Sequence, residues 1–396
     1  MISLQTAEHA LKTYYLSAVK DQLDKKVSPF LAMIEQTEND ISGGEFVKLV
    51  VNGYKFGVGA GTETGFMPKA GANQYGQIRL PLKNLFGRFE ISDKAVRASQ
   101  NSAGAFVNLL NAELEGLIRA AKVNMARMIA GDATGRLARI LTVSGNALVL
   151  DPTEAAVVHA GMTVDVRDNS GSTIVAGAFI QRVVRNETGE LLAELTGGSG
   201  SLSNVQCGHI IVSADFAPEH ELTGLGRIFS EDFSTPLYGL DRIENPWLNP
   251  KNCSAGCGID VSAMQDAFDH VEMNSGATPD IILCGYGARR AYIRHAKNSN
   301  VLNTNPMELD NGHKAITFCG VPMVADKFIR SDSMYFINSK DFKMHRLCDW
   351  RWLEGDGGSV LKQKQNEAAY TATLVKYAEL VCDNPGAQAF ITGISY

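Results

Sequence analysis

Four glycines, Gly57, Gly59, Gly61 and Gly65, fall within nine residues of the stretch YKFGVGAGTETGF, Tyr54 to Phe66. Glycine at that density can cradle a phosphate with backbone N–H groups, so nucleotide chemistry is the first reading to test. The dinucleotide fingerprint needs glycine at its first, third and sixth positions and a helix after it. Counted from Gly57 the sixth residue is Thr62, and counted from Gly59 it is Thr64. The next element in the chain reads as a second strand, not a helix. The stretch GANQYGQ keeps the outer glycines of a phosphate loop at Gly71 and Gly76, but Gln77 stands where lysine is required. A hairpin tip explains these glycines better than a phosphate cradle.

Other chemistry fares no better. Cys253 and Cys257 lie four apart with no second pair at zinc spacing. His345 and Cys348 form an isolated H-x-x-C, and His220 follows Glu219 with no companion. These read as structural residues. There is no H-E-x-x-H, no calcium loop, no G-x-S-x-G and no S-x-x-K set. The loop GGSGSLSN, Gly197 to Asn204, is a Ser/Gly connection. Cys284 ends an apolar strand without an acid or histidine near it in sequence, and reads as a packed thiol. Arg289, Arg290, Arg294, His295 and Lys297 share one helix, with Arg290 and Arg294 on one face. A solvated face or subunit contact fits that cluster better than base readout. No catalytic, cofactor-binding or metal-binding residue is expected, and the chain is not expected to be an enzyme.

The bulk numbers are those of an ordinary soluble globular protein. The 396 residues are 45% hydrophobic and 20% charged, enough for two or three cores. The net charge of -6 argues against a nucleic-acid coating protein but not against one that encloses nucleic acid. Seven scattered cysteines, an odd number, are not a disulfide framework; most sit in apolar runs such as DIILCGYG and AITFCGVP and read as buried free thiols. With no signal-peptide core and no long apolar run, the chain is expected to be made and used in a cytosol-like space, away from membranes.

Five zones must position whatever the chain does. Ala7–Asp40 reads as a helix to about Leu23, broken at Pro29, and forms an arm that packs on something else. Ile41–Ser92 holds two period-two runs, GGEFVKLVVNGYKF and QIRLPLKNLFGRFEI, with a phase slip near Asn84–Leu85 and an edge strand imposed by Pro81. As a two-stranded arm it reaches about 45 Å, and a lone hairpin that long should lean on another subunit. Ser102–Gly131 is the strongest helix: Phe106, Leu110, Leu114, Leu117, Ala121, Met125 and Met128 step by three and four over about 40 Å. Arg139–Ser213 reads as short strands of a β-barrel-like module. Asp215–Tyr396 is mixed α+β, with helices at DVSAMQDAFDHVEMNSG and YGARRAYIRHAKN and strands at TPDIILCG, AITFCGVPMVAD, SMYFINSKDFKMHRL and AAYTATLVKYAELVCDNPGAQAFITGI. In the last run Leu374 and Leu380 alternate against Val375, Tyr377 and Val381.

In its order of parts the chain resembles the major capsid proteins of tailed phages, with the Hong Kong 97-type fold. The resemblance covers nearly the whole chain, and FCGVPMVADKFI followed by MYFINSKDFKMH is similar to the family's strand–Gly–x–Pro–strand segment. It implies an α+β fold: an N-terminal arm (1–40), an extended-loop β-hairpin (41–92), a peripheral domain with a long spine helix (93–138), an inserted β-barrel-like domain (139–213), an axial domain (214–344) and peripheral return strands (345–396). It implies a homo-oligomer, hexamers and pentamers in an icosahedral shell that encloses double-stranded DNA without sequence-specific binding. Scaffolding, portal and decoration proteins are the implied partners, in a virion assembled in host cytoplasm, with no cofactor. The expected assembly contacts are Phe46, Tyr54, Phe56, Gly59, Gly61, Phe66, Lys69, Ile78, Leu80, Arg290 and Arg294. Gly59 and Gly61 would let one hairpin take different shapes in hexamers and pentamers.

Two departures qualify the resemblance. The 139–213 module exceeds the minimal fold, and the chain opens on the arm without the helical leader of some members, which implies a separate scaffold or none. Some members also crosslink a hairpin lysine to a neighbour's asparagine beside a glutamate. Lys69, Asn366 and Glu367 are of those types, but no motif fixes the match and no crosslink is expected. Two other readings stay open: an encapsulin-like compartment with protein cargo, and an enzyme with an unrecognised site.

Overall fold

The computed structural model describes residues 28–53, 57–63, 65, 67, 69, 71, 72, 74–94, 103–152, 154, 155, 157–186, 190–214, 220–254, 258–298, 307, 308, 314–355 and 358–396. The helix expected over Ala7–Leu23 lies outside them.

Pro29 starts a helix. The Ser28 Oγ accepts the Leu31 N–H at 3.2 Å, and Pro29 sits in the first turn of α1 (Pro29–Met33), where a missing N–H leaves no bond unmade. Phe30, Leu31 and Ile34 then bury in the chain's own main core. The described end of the expected arm, from Ser28 on, is thus fastened on its own chain, and β1 (Glu35–Thr37) runs parallel to β19 (Phe342–Trp352).

The first sheet is built on β21 (Ala369–Cys382), which pairs antiparallel with β19 and β20 (Lys362–Gln363) and, over ten residues, with β5 (Lys83–Ser92). Leu374 and Leu380 on one face and Val375 and Val381 on the other are all buried, as a central strand covered on both sides requires. β5 alternates strictly: Leu85, Phe89 and Ile91 inward, Asn84, Phe86, Arg88 and Glu90 outward. The long helix α2 (Ala103–Ala130) lies on β5 and turns Leu114, Ile118, Met125, Met128 and Ile129 into the core. Its C-terminal end meets α3 (Leu225–Ile228) at Gly224, where a Cβ would collide with the carbonyl oxygens of Met128 and Gly131. Ser102, the expected cap, is outside the described residues.

The expected single limb QIRLPLKNLFGRFEI divides. Its first part is β4 (Gln74–Pro81), antiparallel to β3 (Glu45–Gly53) in a three-stranded sheet with β2 (Ile41–Ser42). Its second part is β5, which leaves that sheet for β21. Pro81 sits at the end of an edge strand, and the chain changes sheets at Leu82, which accounts for the phase slip without a bulge in one continuous strand.

A seven-stranded mixed sheet runs β13 (Lys251–Asn252), β22 (Ala389–Ile391), β18 (Met334–Ile337), β14 (Ile281–Cys284), β17 (Val321–Ala325), β16 (Lys314–Phe318) and β15 (Met307–Glu308). α4 (Val261–Ser275), capped by Asp260 and stopped by left-handed Gly276, and α5 (Tyr286–Asn298) cover it. Cys284 is buried, as expected, but Cys319 is exposed because it occupies the tight β16–β17 turn beside Gly320.

The remaining strands pair in a ring. β6 (Arg136–Ser144) pairs with β7 (Ala147–Leu150), β7 with β10 (Leu191–Thr196), β10 with β9 (Thr173–Arg185), β9 with β8 (Thr163–Arg167), β8 with β12 (Ile210–Ser213), and β12 with β6 again. The short β11 (Ser199–Gly200) adds to β9. The ring has its own aliphatic core, including Ile140, Leu148, Leu150, Val164, Val166, Ile180 and Ile211, separate from the core under α2.

Candidate assembly surface

The β3–β4 hairpin is held firmly at its base. Phe46 and Ile78 have no exposed surface and Leu80 only 8%, all within the main core. Phe46 packs on His345 with ring centroids 4.3 Å apart. The His345 Nδ1 hydrogen-bonds the Asn39 carbonyl at 3.0 Å. Burial pushes the His345 imidazole down from its ordinary value, against the opposing pull of the Asn39 carbonyl and Asp383, so the ring is neutral at pH 7. Lys48 and Asp383 add an ion pair at 2.7 Å, and Arg79 and Glu45 close the cross-strand row at 2.5 Å.

The apex is the opposite. Val58 is 95% exposed, Met67 90% and Tyr75 63%, and Gly57, Gly59, Gly61 and Lys69 are exposed with them. Exposed apolar side chains that share one element mark a candidate interaction surface. Among the described residues β4 bonds only to β3, which leaves its other edge unpaired there. Apolar cover and backbone groups are both on offer there.

Beneath this surface, buried charges pin the body. Arg127 near the end of α2 grips Glu221 with two N–H bonds, one from Nη1 to Oε2 at 3.0 Å and one from Nη2 to Oε1. Lys376, fully buried, reaches Gln36 at 3.1 Å and Asp349 at 3.4 Å and lies over the Trp350 ring. Glu379 in β21 accepts the Thr223 N–H at 2.7 Å and the Leu380 N–H at 3.1 Å, while its Oε2 has no hydrogen bond. Burial pushes that carboxyl up to about 7.

The expected contact residues therefore separate. Phe46, Ile78 and Leu80 cannot serve a neighbour, because the chain's own core consumes them; the inward face of the hairpin base is an anchor. Gly59, Gly61 and Lys69 are on the exposed apex. Tyr54, Phe56 and Phe66 lie outside the described residues. Arg290 and Arg294 are exposed on α5, against the seven-stranded sheet and apart from the hairpin, with the Arg290 guanidinium over the Tyr396 ring. The sequence reading missed His345, Lys48 and Asp383. His345 stood out only as half of a metal-like pair, and its partner Asn39 is 306 positions away. Glu367, one of the crosslinking types, is tied to Lys364 at 2.7 Å. Among the described residues no helix is long and apolar enough to cross a membrane, and no group of His, Cys, Asp and Glu is placed to hold a metal.

No family model and no curated protein matches the chain. Solved structures do. The cyanophage A-1(L) capsid asymmetric unit aligns over 92% of this chain and 91% of that one, with 11% identity and a TM-score of 0.53. The capsid of the Myoviridae phage XM1 aligns over 91% and 90%, with 11% identity and a TM-score of 0.44. The SrpI encapsulin of Synechococcus elongatus aligns over 94% and 89%, with 10% identity and a TM-score of 0.42. The first of these carries the comparison, and at that coverage it takes in nearly all of the chain. This chain has the fold of the cyanophage A-1(L) capsid chain.

Proposed function

We propose that the chain is a self-assembling shell protein, the major capsid protein of a phage particle. The observation that carries the reading is the hairpin: locked at its base by Phe46, His345 and the Lys48–Asp383 pair, and bare at an apolar apex. A monomer gains nothing from such an element, whereas a symmetric lattice buries every copy of it on a neighbour. Each contact can be weak because each subunit makes several.

In this reading the hairpin is the extended loop and α2 the spine helix of a Hong Kong 97-type subunit. The β1–β19–β21–β5 sheet belongs to the peripheral domain, the seven-stranded sheet is the axial domain, and the ring of strands is an inserted barrel. Subunits form hexamers and pentamers, close an icosahedral shell in the host cytoplasm, and enclose double-stranded DNA without reading its sequence. Scaffolding, portal or decoration proteins would act on that shell, and no catalytic step is assigned to the chain.

Negative-stain electron microscopy of the expressed chain, with assay of what the particles hold, tests this. Closed particles that package DNA in a phage context support it. Closed particles filled with cargo enzyme would move the assignment to an encapsulin-like compartment. A chain that stays monomeric across pH, salt and concentration, with and without a scaffold, would overturn the shell reading.

A further inference from the structure

A cavity of about 560 Å³ lies where the ring of strands meets the body. β6, the β8–β9 turn, α3 and the loop from Pro236 to Gly239 wall it. Four arginines line it, Arg136, Arg139, Arg167 and Arg227, against two carboxylates, Asp132 and Asp168, a local cation excess in a chain of net charge -6. Both carboxylates are occupied by their own turns. Asp132 pairs with Arg136 at 3.2 Å and accepts the Thr134 N–H at 3.1 Å. Asp168 accepts the Ser170 N–H and the Ser172 N–H, each at 2.8 Å, and the Ser170 hydroxyl at 2.6 Å.

Arg136 pairs with Glu154 at 3.4 Å as well as with Asp132, but Arg139 and Arg227 are less fully used. Arg227 gives one N–H to the Pro236 carbonyl at 3.0 Å and keeps the rest of its guanidinium. Arg139 is exposed, and its side chain makes no hydrogen bond or ion pair among the described residues. It also borders a smaller cavity of about 260 Å³, where Asp151, Glu154 and Asp332 outnumber Arg330. Those acids would repel an anion and leave it on the larger, cationic side.

We propose that the larger cavity binds a small polyanion bearing two or three phosphate groups, with Arg139 and Arg227 as its main ligands. The guanidinium fork matches phosphate oxygens in pairs, and the volume falls within the range of about 300–1,000 Å³ typical of small-molecule sites. A single phosphate would leave most of the space empty. The bound anion would bridge β6 of the ring to α3 of the body, clamping the two together.

A nucleic-acid strand presents phosphates of the same chemistry, and titration calorimetry on the full-length chain separates it from a free polyphosphate. The probes are sodium triphosphate and a short oligothymidylate at equal phosphate concentration, with ionic strength held constant by sodium chloride. Saturable triphosphate binding, one per chain, is expected, weakened about tenfold in Arg139→Gln and again in Arg227→Gln. Arg139 is exposed and has no side-chain partner among the described residues, so its substitution should leave folding intact, which circular dichroism checks. Heats that do not saturate, or an affinity unchanged in both variants, would overturn the proposal, as would oligothymidylate binding as tightly as triphosphate. Binding is read per chain, so the result is independent of whether the chain builds a shell.

Discussion

The ring of strands and the hairpin are both antiparallel β-structure, yet they treat their edges in opposite ways. In the ring each of six strands pairs on two sides, so no full-length edge is left, and the apolar residues fill an interior of their own. In the hairpin β4 pairs on one side only, and Val58 and Met67 face outward. Closure removes a strand's ability to recruit another chain, and an open edge keeps it. The ring is thus built to be complete within one copy. The hairpin is buried at its base and exposed at its apex, so in the proposed shell the apex is where a second copy would add something.

The contrast can be broken first at its two cores. Phe46→Ala empties a fully buried site under the hairpin base and should cost about 3–5 kcal/mol; Leu150→Ala does the same inside the ring for about 2–5 kcal/mol. Chemical denaturation followed by hydrogen exchange distinguishes them. Loss of protection in β3 and β4 should follow the first, and loss confined to β6–β12 the second. If Leu150→Ala loosens the hairpin equally, the two regions are not independent units.

A smaller effect separates body from ring by pH. Glu379 is held protonated by burial, its folded value about 7 against an ordinary 4.5. A raised carboxyl stabilises the fold fully below pH 4.5, and that contribution is lost as pH rises through about 7. The difference corresponds to about 3 kcal/mol. Glu379→Gln should therefore flatten the stability profile between those values and raise stability at pH 8, while exchange protection in the ring stays the same. An unchanged profile would mean that Glu379 titrates normally.

The smallest effect on folding belongs to the apex. Val58→Ser, Met67→Ser, and Gly59→Val with Gly61→Val should each shift stability by no more than about 0.5 kcal/mol, since these positions are exposed. A larger loss in thermal melts would show that the apex packs within its own chain.

Much of this architecture was legible in the residues because it is local. Strict alternation in Leu85–Ile91, the three-and-four spacing of Leu114 to Met128, and the turn chemistry between short strands each specify an element with no knowledge of the rest. The helix start at Pro29 was not legible because it depends on Ser28, whose hydroxyl caps the first turn. The base contacts failed for a different reason. Phe46, Ile78 and Leu80 have the same pattern whether they bury on their own body or on a neighbour, and only the position of His345, far along the chain, decides. Cys319 was misread because an apolar run can contain a tight turn. Periodicity reports faces; it does not report what covers them.

The most direct test of the central claim is sedimentation velocity on the wild-type chain and the Val58→Ser/Met67→Ser double variant under the same assembly conditions. The account predicts megadalton particles for the wild type, and a folded small species with an unaltered melt for the variant. Equal assembly of the two would contradict the claim that the hairpin apex is the contact that builds the shell.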